Sequence, residues 1–261
     1  MNHYLKNINT LYIWLDIENK NYRKELIMKT YHDLQEGLQD PNIFKAFFLA
    51  GGPGSGKSFV VRKSAGGMGL RIVNSDDVFE KYLKDAGFDL DMRTPKAERE
   101  KEQRDVMRGR AKEITGKKQD NYVEGRLGLV IDGTGSDYDK IAKQSTDLKR
   151  LGYDTYMVYV NTSLDVALAR NAERERSVEE KEAVKLWHDV QRNLGKFSQH
   201  FRRNLIVVDN NEKLDDDGTI FNDVLRQVRA LLKIKVRNPT AKEWVRMEMK
   251  RKGVTRAPKG W

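Results

Sequence analysis

Residues 44–66 read Phe-Lys-Ala-Phe-Phe-Leu-Ala-Gly-Gly-Pro-Gly-Ser-Gly-Lys-Ser-Phe-Val-Val-Arg-Lys-Ser-Ala-Gly. An apolar run over residues 46–50 is followed by Gly51-Gly52-Pro53-Gly54-Ser55-Gly56-Lys57-Ser58, which fits the pattern G-x-x-x-x-G-K-[ST] without a mismatch. Glycine lets a backbone wrap closely around a phosphate and direct successive N–H groups at it. The stretch therefore predicts a buried strand, a phosphate-binding loop and a helix, in that order.

Three features of this loop predict ATP and Mg²⁺ as the cofactors. Lys57 is placed to reach the β- and γ-phosphates, and Ser58 is placed to ligate Mg²⁺. The helix that begins near Gly56 directs its positive N-terminal end at the same anion. We therefore expect residues 51–58 to form the cofactor site.

The composition limits the classes of protein to which the chain can belong. It has 261 residues, of which 38% are hydrophobic, and its lack of cysteine excludes disulfides, thiolate zinc sites and cysteine nucleophiles. No apolar run approaches the roughly 20 residues of a membrane span, and residues 1–7 lead into no apolar signal sequence. We therefore expect an intracellular, cytoplasmic protein that does not contact a membrane.

Short apolar runs alternate with helical patterns along the chain. The predicted strands are 45–50, 70–73, 127–131, 155–160 and 205–208, and the main predicted helices are 95–115, 138–151, 178–201 and 220–232. This alternation predicts an α/β fold of the P-loop NTPase type, a parallel sheet of about five strands with helices on both faces. Polar clusters follow the strand ends, and we expect them to meet at one crevice. These clusters are 51–58, 74–77, 132–136 and 161–163.

The sequence divides into three predicted regions. Residues 1–44 form an N-terminal helical extension with a helix over 22–38, residues 45–232 form the P-loop domain, and residues 233–261 form a basic C-terminal tail. The tail holds ten Lys/Arg and two Glu, so it carries +8 of the net charge of +10. This block indicates either contact with nucleic acid or a solvated tail. A helix over 240–252 would place Trp244 either against bases or against the core.

Carboxylates follow two of the predicted strands. Asp76 and Asp77 come after the second strand, where a carboxylate can orient an acceptor hydroxyl and take its proton. We predict Asp76 as this base and Asp77 as a neighbouring substrate contact, although Asp77 and Glu80 also have the spacing of a capping box. Asp132 ends the third strand, where an acid near Mg²⁺ is expected. ATPases that hydrolyse ATP usually place a water-activating Glu directly after this acid, and this chain has Gly133 there. The pattern therefore disfavours ATP hydrolysis as the reaction of this protein.

A basic segment follows the fourth strand and its helix. Arg170, Arg174 and Arg176 lie there, and arginines at this place can clamp the phosphoryl group that is transferred. Glu173 and Glu175 interleave with them, so an ordinary solvated helix end is the alternative. We favour a catalytic clamp for Arg170 and Arg174, and contact with the cofactor for Arg176.

Part of this constellation resembles the phage polynucleotide kinases. The similar motifs are the loop at 51–58, Asn-Ser-Asp-Asp at 74–77 and Arg-Asn-Ala-Glu-Arg at 170–174. The resemblance implies that Asp76 is the catalytic base and that the two arginines of the last motif belong to a lid. Those enzymes carry an arginine for the acceptor's phosphate three residues past the base, where this chain has Phe79.

Another part is similar to the zeta toxin kinases. The motifs are Val-Ile-Asp-Gly-Thr-Gly at 130–135 and Leu-Gly-Tyr-Asp-Thr at 151–155. In that family the turn reads Glu-Gly-Thr-Gly-Arg and serves the substrate, a uridine-diphosphate amino sugar. The resemblance implies Asp132 and Thr134 as substrate contacts. Asp132 replaces the glutamate of the family and Ser136 replaces the arginine.

Together the resemblances imply an ATP-dependent kinase, with three acceptor classes open. A hydroxyl of a nucleic acid is favoured by the basic tail and is our first prediction. A sugar nucleotide is favoured by the turn at 132–135, and a small metabolite or nucleoside is the third class. The alternative from a different class is a non-catalytic ATP-binding module that docks on a partner through residues 1–45 or the tail.

Overall fold

A computed structural model describes residues 37–59, 67–92, 96–174, 176–211 and 219–256, with the side chains of 219–221 excepted. The strands are β1 (Lys45–Ala50), β2 (Arg71–Val73), β3 (Leu129–Asp132), β4 (Asp154–Asn161) and β5 (Leu205–Asp209). They form one parallel sheet in the order β2-β3-β1-β4-β5. The predicted five-stranded parallel sheet is therefore confirmed.

Helices connect the strands. They are α1 (Ser75–Asp85), α2 (Glu98–Glu124), α3 (Tyr138–Arg150), α4 (Leu164–Ala172), α5 (Glu180–Phe201), α6 (Thr219–Leu232) and α7 (Pro239–Lys252). Residues 57–59 are also helical and directly follow the phosphate-binding loop. The predicted helix over 22–38 lies outside the described residues, apart from Gly37 and Leu38 in the 3-10 turn Gly37–Gln39. Within the described ranges, no helix has the length and apolar character needed to cross a membrane.

The sheet separates two hydrophobic cores, as expected from helices on both faces. Alternate side chains of a strand point to opposite faces, so Ala46, Phe48 and Ala50 of β1 enter one core and Phe47 and Leu49 enter the other. The first core is completed by α3, α5 and α7, and the second by α6. This burial fixes β1 at the centre of the sheet and thereby fixes the loop that follows it.

Helix α2 continues nine residues beyond its predicted end at residue 115. Gly116 does not stop it, because Ile114 and Tyr122 on either side of the glycine are both buried. The salt bridge between Glu113 and Lys117 also spans this point. Tertiary packing therefore outweighs the low helix propensity of one glycine.

Residues 233–256 of the C-terminal segment are folded onto the domain. Ala241 and Val245 of α7 are fully buried, and the ring of Trp244 packs edge-on against Phe44 with centroids 5.5 Å apart. Of the two placements predicted for Trp244, the structure has the one against the core. The predicted helix over 240–252 is present as α7.

The same segment lies at the amino ends of the strands. Lys45, the first residue of β1, donates to the carbonyl oxygen of Ile234 at 2.6 Å and forms a salt bridge with Asp154, the first residue of β4, at 2.7 Å. Because β1 has six residues at about 3.3 Å each, this end and the phosphate-binding loop are separated by roughly 20 Å. The basic segment and the loop therefore occupy opposite ends of the sheet.

Candidate active site

The phosphate-binding loop leaves the carboxyl end of β1 as a tightly packed turn. Gly54 and Gly56 have φ angles of +76° and +83°, which favour glycine. A Cβ atom on Gly54 would lie 1.9 Å from the carbonyl oxygen of Ala167, and one on Gly56 would lie 2.3 Å from Nδ2 of Asn210. Both positions favour glycine, although the pattern G-x-x-x-x-G-K-[ST] specifies glycine at 56 and leaves residue 54 open.

The loop is supported from behind by the ends of β4 and β5. Asn210 Nδ2 donates to the carbonyl oxygen of Ser55 at 2.7 Å, and Thr162 Oγ1 donates to the same oxygen at 3.4 Å. The buried Ser55 hydroxyl finds no hydrogen-bond partner within the described part of the chain. The glycine-lined turn, with Lys57 and Ser58 at its end lining the cleft, fits a phosphate group.

Lys57 and Asp132 meet across the neighbouring strands β1 and β3. Lys57 Nζ lies 2.7 Å from Asp132 Oδ1, and the side chains are 14% and 5% exposed. The other carboxylate oxygen accepts from Asn74 Nδ2 at 3.0 Å. The structure thus places Lys57, predicted to bind phosphate, beside Asp132, predicted to bind magnesium. Both carboxylate oxygens of Asp132 accept a hydrogen bond, one from Lys57 and one from Asn74.

Most of the predicted site residues line a single cleft of about 1120 Å³. Its walls come from the loop, the start of α1, the end of β3 and the segment after α4. The predicted residues in these walls are Gly51, Gly52, Pro53, Lys57, Ser58, Asp76, Asp77, Asp132, Thr134, Arg174 and Arg176. Three of the four predicted clusters, 51–58, 74–77 and 132–136, therefore meet at this cleft, whereas residues 161–163 do not line it and Thr162 supports the loop from behind.

Asp76 is held by Arg176. Arg176 donates to Asp76 Oδ1 at 3.1 Å and to Glu80 Oε1 at 3.2 Å, and its guanidinium lies 5.6 Å from the ring centroid of Phe79. Partial burial raises the pKa of Asp76. Attraction and hydrogen bonding to Arg176, with smaller effects of Lys57 and Arg108, outweigh this and hold the pKa below its ordinary value of 3.8. Asp76 is therefore ionised at neutral pH, as a proton acceptor must be.

The N-terminal cap of α1 differs from the prediction. Asn74 caps the helix by accepting from the backbone N–H of Asp76 at 2.8 Å. Asp77 lies in the first turn and accepts from Asn74 Nδ2 at 3.3 Å, so a capping box of Asp77 with Glu80 is wrong. Asn74 was missed, although Asn directly before an acidic helix start is a typical cap.

The three arginines have different surroundings. Arg174 and Arg176 line the cleft, whereas Arg170 is not among the residues that line it. Arg170 Nη1 donates to the carbonyl oxygen of Asn210 at 2.7 Å, and Asn210 in turn supports the loop at Ser55. In this conformation Arg170 contacts Asn210, which holds the phosphate-binding loop. The role of Arg170 as a clamp on the transferred phosphoryl group stays a prediction.

Arg108 is a cleft residue that the motifs do not reveal. It reaches the cleft from α2, and its guanidinium lies 4.6 Å from the ring centroid of Phe79, on which Arg176 also packs. Helix α2 packs on α1 through a small core that includes Phe79 and Met107. No motif marks Arg108 because only this packing brings it beside Asp76.

A family model described as Zeta toxin matches residues 29–221 of the chain. A comparison with curated protein sequences gave no match. Among solved structures, a chain of AvrRxo1-ORF1:-ORF2 with ATP superposes with a TM-score of 0.52 at 14% identity, covering 73% of this chain and 64% of that one. The native form of that complex gives a TM-score of 0.50 at 12% identity, with coverage of 80% and 84%.

A gluconokinase from Sinorhizobium meliloti 1021 gives a TM-score of 0.46 at 14% identity and covers 73% of this chain and 97% of that one. The likeness to the two AvrRxo1-ORF1:-ORF2 structures is one of fold. The family match covers nearly three quarters of the chain, from before β1 to within α6. The chain belongs to the zeta toxin family and is a P-loop phosphotransferase of the kinase type.

Proposed function

We propose that the chain transfers the γ-phosphate of ATP, with Mg²⁺, to a hydroxyl of a small acceptor of the sugar-nucleotide class. The observation that carries this proposal is the meeting of Lys57, Asp132 and Asp76 in one cleft. They supply a phosphate-binding cation, a metal-binding carboxylate and a proton acceptor. These are the groups that phosphoryl transfer from a nucleotide requires.

The donor half of the reaction rests on the loop. Backbone N–H groups of Gly52, Gly54 and Gly56 would bind phosphate oxygens, since Pro53 has no N–H and those of Gly51 and Ser55 donate to Thr134 and Gly52. Ser58 and Asp132, which line the same cleft, would hold Mg²⁺. The metal ion neutralises negative charge on the phosphates when bound. Lys57 is within reach of that charge because it already lies beside Asp132.

The acceptor half rests on Asp76. An acceptor hydroxyl beside its carboxylate donates its proton to Asp76 while the hydroxyl oxygen bonds to the γ-phosphorus, and the bond from that phosphorus to the ADP oxygen breaks. Arg174 and Arg176 in the same walls are placed to offset charge on the transferred group. Because its pKa is lowered, Asp76 is ionised at neutral pH, so its carboxylate carries no proton before the transfer.

The position of the basic segment bears on the acceptor class. A nucleic-acid acceptor is the first prediction from the sequence because of residues 233–261. Yet α7 lies at the amino ends of β1 and β4, and the cleft lies at the carboxyl ends. A strand bound along α7 would have to run roughly 20 Å to reach Asp76. The turn at 132–135, in contrast, lies in the cleft wall, so the geometry supports a sugar nucleotide better.

Transfer of label from γ-labelled ATP tests the acceptor class. We expect label on a uridine-diphosphate amino sugar and not on single- or double-stranded DNA or RNA. The control variant carries Lys242→Glu, Arg246→Glu and Lys250→Glu, which are exposed on α7, so the fold is kept where a truncation would uncover Ala241 and Val245. Label on nucleic acid that this variant abolishes would replace the sugar-nucleotide proposal. ATP binding without transfer to any acceptor would favour the non-catalytic module.

A further inference from the structure

Two cleft arginines, Arg174 and Arg176, lie in the segment between α4 and α5. The described residues of this segment contain no helix or strand. A side chain as long as arginine loses much conformational freedom when it is held in one place. Contacts with neighbouring elements must therefore fix the segment that presents these two guanidinium groups to the cleft.

Asn171, in the last turn of α4, joins the two sides of this segment. Its Nδ2 donates to the carbonyl oxygen of Val178 at 2.7 Å, and its Oδ1 accepts from the backbone N–H of Val178 at 3.1 Å. The carbonyl oxygen of Asn171 also accepts from the backbone N–H of Arg174 at 3.3 Å. Asn171 is 4% exposed, so water competes little for these bonds. One residue thus fixes the backbone on both sides of Arg176.

The contact with Val178 requires an amide side chain at residue 171. A carboxamide offers both a donor and an acceptor, whereas an ionised carboxylate only accepts and an aliphatic side chain does neither. Asparagine is also a weak helix former, so α4 gains no stability from it. The residue type therefore fits a role in holding the segment after the helix.

A second contact holds the same segment from the side of α2. The buried Ser177 donates from Oγ to Asp91 Oδ1 at 3.0 Å, and its carbonyl oxygen accepts from the backbone N–H of Met92 at 3.2 Å. The stretch that contains Asp91 is held in turn by Arg104 of α2, which is 3% exposed and donates to the carbonyl oxygen of Asp89 at 2.6 Å. The segment is therefore fixed between α4 and α2.

We propose that Asn171 is a positioning residue for phosphoryl transfer and acts by holding Arg174 and Arg176 in the catalytic cleft. The contacts of Arg176 with Asp76 and Glu80, at 3.1 and 3.2 Å, depend on this placement. Ser177 contributes to the same placement through its bond to Asp91. The inference rests on the proposed function for the step in which the arginines act, but the placement of Arg176 is measured without nucleotide or acceptor.

Nuclear magnetic resonance of the Arg176 side chain tests the placement directly. Its Nε atom is buried, so we expect the proton on it to exchange slowly with water in the wild type. The signal is identified by its loss in Arg176→Met. Exchange should be at least about tenfold faster in Asn171→Ala, because the segment then opens more often.

Asn42→Ala is the matched control for the loss of a buried asparagine. Asn42 is 5% exposed, precedes β1, donates from Nδ2 to the carbonyl oxygen of Met68 and does not line the cleft. We expect this variant to lose stability in thermal unfolding while the exchange of the Arg176 proton and kcat stay as in the wild type. A merely structural role of Asn171 would give the same result in both variants.

Turnover with γ-labelled ATP tests the consequence for the reaction. Asn171→Ala should lower kcat on the order of 10–100-fold and change the KM for ATP less, because small misplacements of groups that act on the transferred phosphoryl group are costly. In a background that carries Arg174→Met and Arg176→Met, the same change should lower kcat little further, since the groups through which Asn171 acts are gone.

Ser177→Ala provides a second test that does not depend on whether Asn171→Ala folds. It removes only the bond to Asp91, so both effects should be smaller and in the same direction. Unchanged proton exchange or unchanged kcat in the folded variants would overturn the inference, as would a full loss of kcat in the background without the arginines. Faster exchange in these variants, combined with no phosphoryl transfer by the wild type, would support the placement by Asn171 and contradict only the proposed function.

Discussion

The two ends of the sheet both carry many charges but arrange them differently. At the carboxyl ends, Lys57 reaches from the loop to Asp132 of β3, and Arg176 reaches from the segment after α4 to Asp76 of α1. The lysine pair is 14% and 5% exposed. At the amino ends, Arg246 of α7 pairs with Glu243 three residues away, and these side chains are 76% and 55% exposed.

The comparison shows that the pairing of charges locates a site better than their number. Exposed pairs along one helix add little to stability and are shared by many solvated surfaces. Pairs between separate elements require the whole fold to place them. At the carboxyl ends two such pairs, Lys57–Asp132 and Arg176–Asp76, line one cleft, whereas the pair Lys45–Asp154 at the amino ends joins two strands outside that cleft. The most basic part of this sequence is therefore not the part with the features of a catalytic site.

Removal of Lys57 is expected to have the largest effect. Lys57→Met should reduce turnover to background, because the lost positive charge contributes several kcal/mol of transition-state stabilisation, on the order of 10³-fold in rate. Steady-state transfer from γ-labelled ATP measures the loss, and thermal unfolding reports the fold. The matched variant is Lys242→Met on α7, for which we expect wild-type turnover. Equal turnover in Lys57→Met and Lys242→Met would contradict the claim that the reaction takes place at the carboxyl ends of the sheet and not at the amino ends.

Removal of Arg176 is expected to shift the pH dependence. In the wild type Asp76 loses its charge only when the pH falls below its lowered pKa. The fall of kcat/KM on the acid side of the pH profile, its acid limb, therefore lies at low pH. Arg176→Met leaves the effect of burial and removes the main attraction, so the pKa of Asp76 rises and the limb moves to higher pH. Arg174→Met is the control, because Arg174 is not among the groups that lower this pKa, and it should reduce turnover with the limb unmoved. A limb that stays in place in Arg176→Met would mean that Asp76 is not the titrating base.

The smallest expected effect is on stability at the amino ends. Gly152 has a φ angle of +104°, and a Cβ atom there would lie 2.8 Å from the backbone nitrogen of Ala241. Gly152→Ala should therefore cost about 1–3 kcal/mol in the free energy of unfolding and loosen α7. Gly253→Ala is the control, with a φ angle of +65° but open space at its Cβ, and should cost about 1 kcal/mol. Equal losses in denaturant unfolding would mean that α7 is not held against this turn.

Local chemistry explains which features the sequence predicts. The loop at 51–58 and the start of β1 are encoded by residue types that a phosphate-binding turn requires, and β1 occupies the predicted residues 45–50. Helix α7 is likewise found within one residue of its predicted bounds, because Pro near its start and Gly253 after its end are typical terminal residues.

Features that depend on packing between elements were not predictable. Arg108 reaches Asp76 only because α2 packs on α1, and its spacing within α2 resembles that of a solvated face. The position of residues 233–256 depends on contacts of Ala241 and Val245 with the core, which net charge does not reveal. The helix predicted to end at residue 115 continues through Gly116, because Ile114 and Tyr122 on either side of it are buried.

The most direct test of the account compares Asp76→Asn with the triple α7 variant, Lys242→Glu, Arg246→Glu and Lys250→Glu, in one single-turnover assay. Both are measured with γ-labelled ATP and the uridine-diphosphate amino sugar, and ATP affinity is measured alongside. We predict that Asp76→Asn slows transfer by roughly 10²–10⁴ with unchanged ATP affinity, as for loss of a general base, and that the α7 variant transfers at the wild-type rate. Unchanged transfer in Asp76→Asn, or a comparable loss in the α7 variant, would contradict the claim that phosphoryl transfer takes place at the carboxyl ends of the sheet, away from the basic segment.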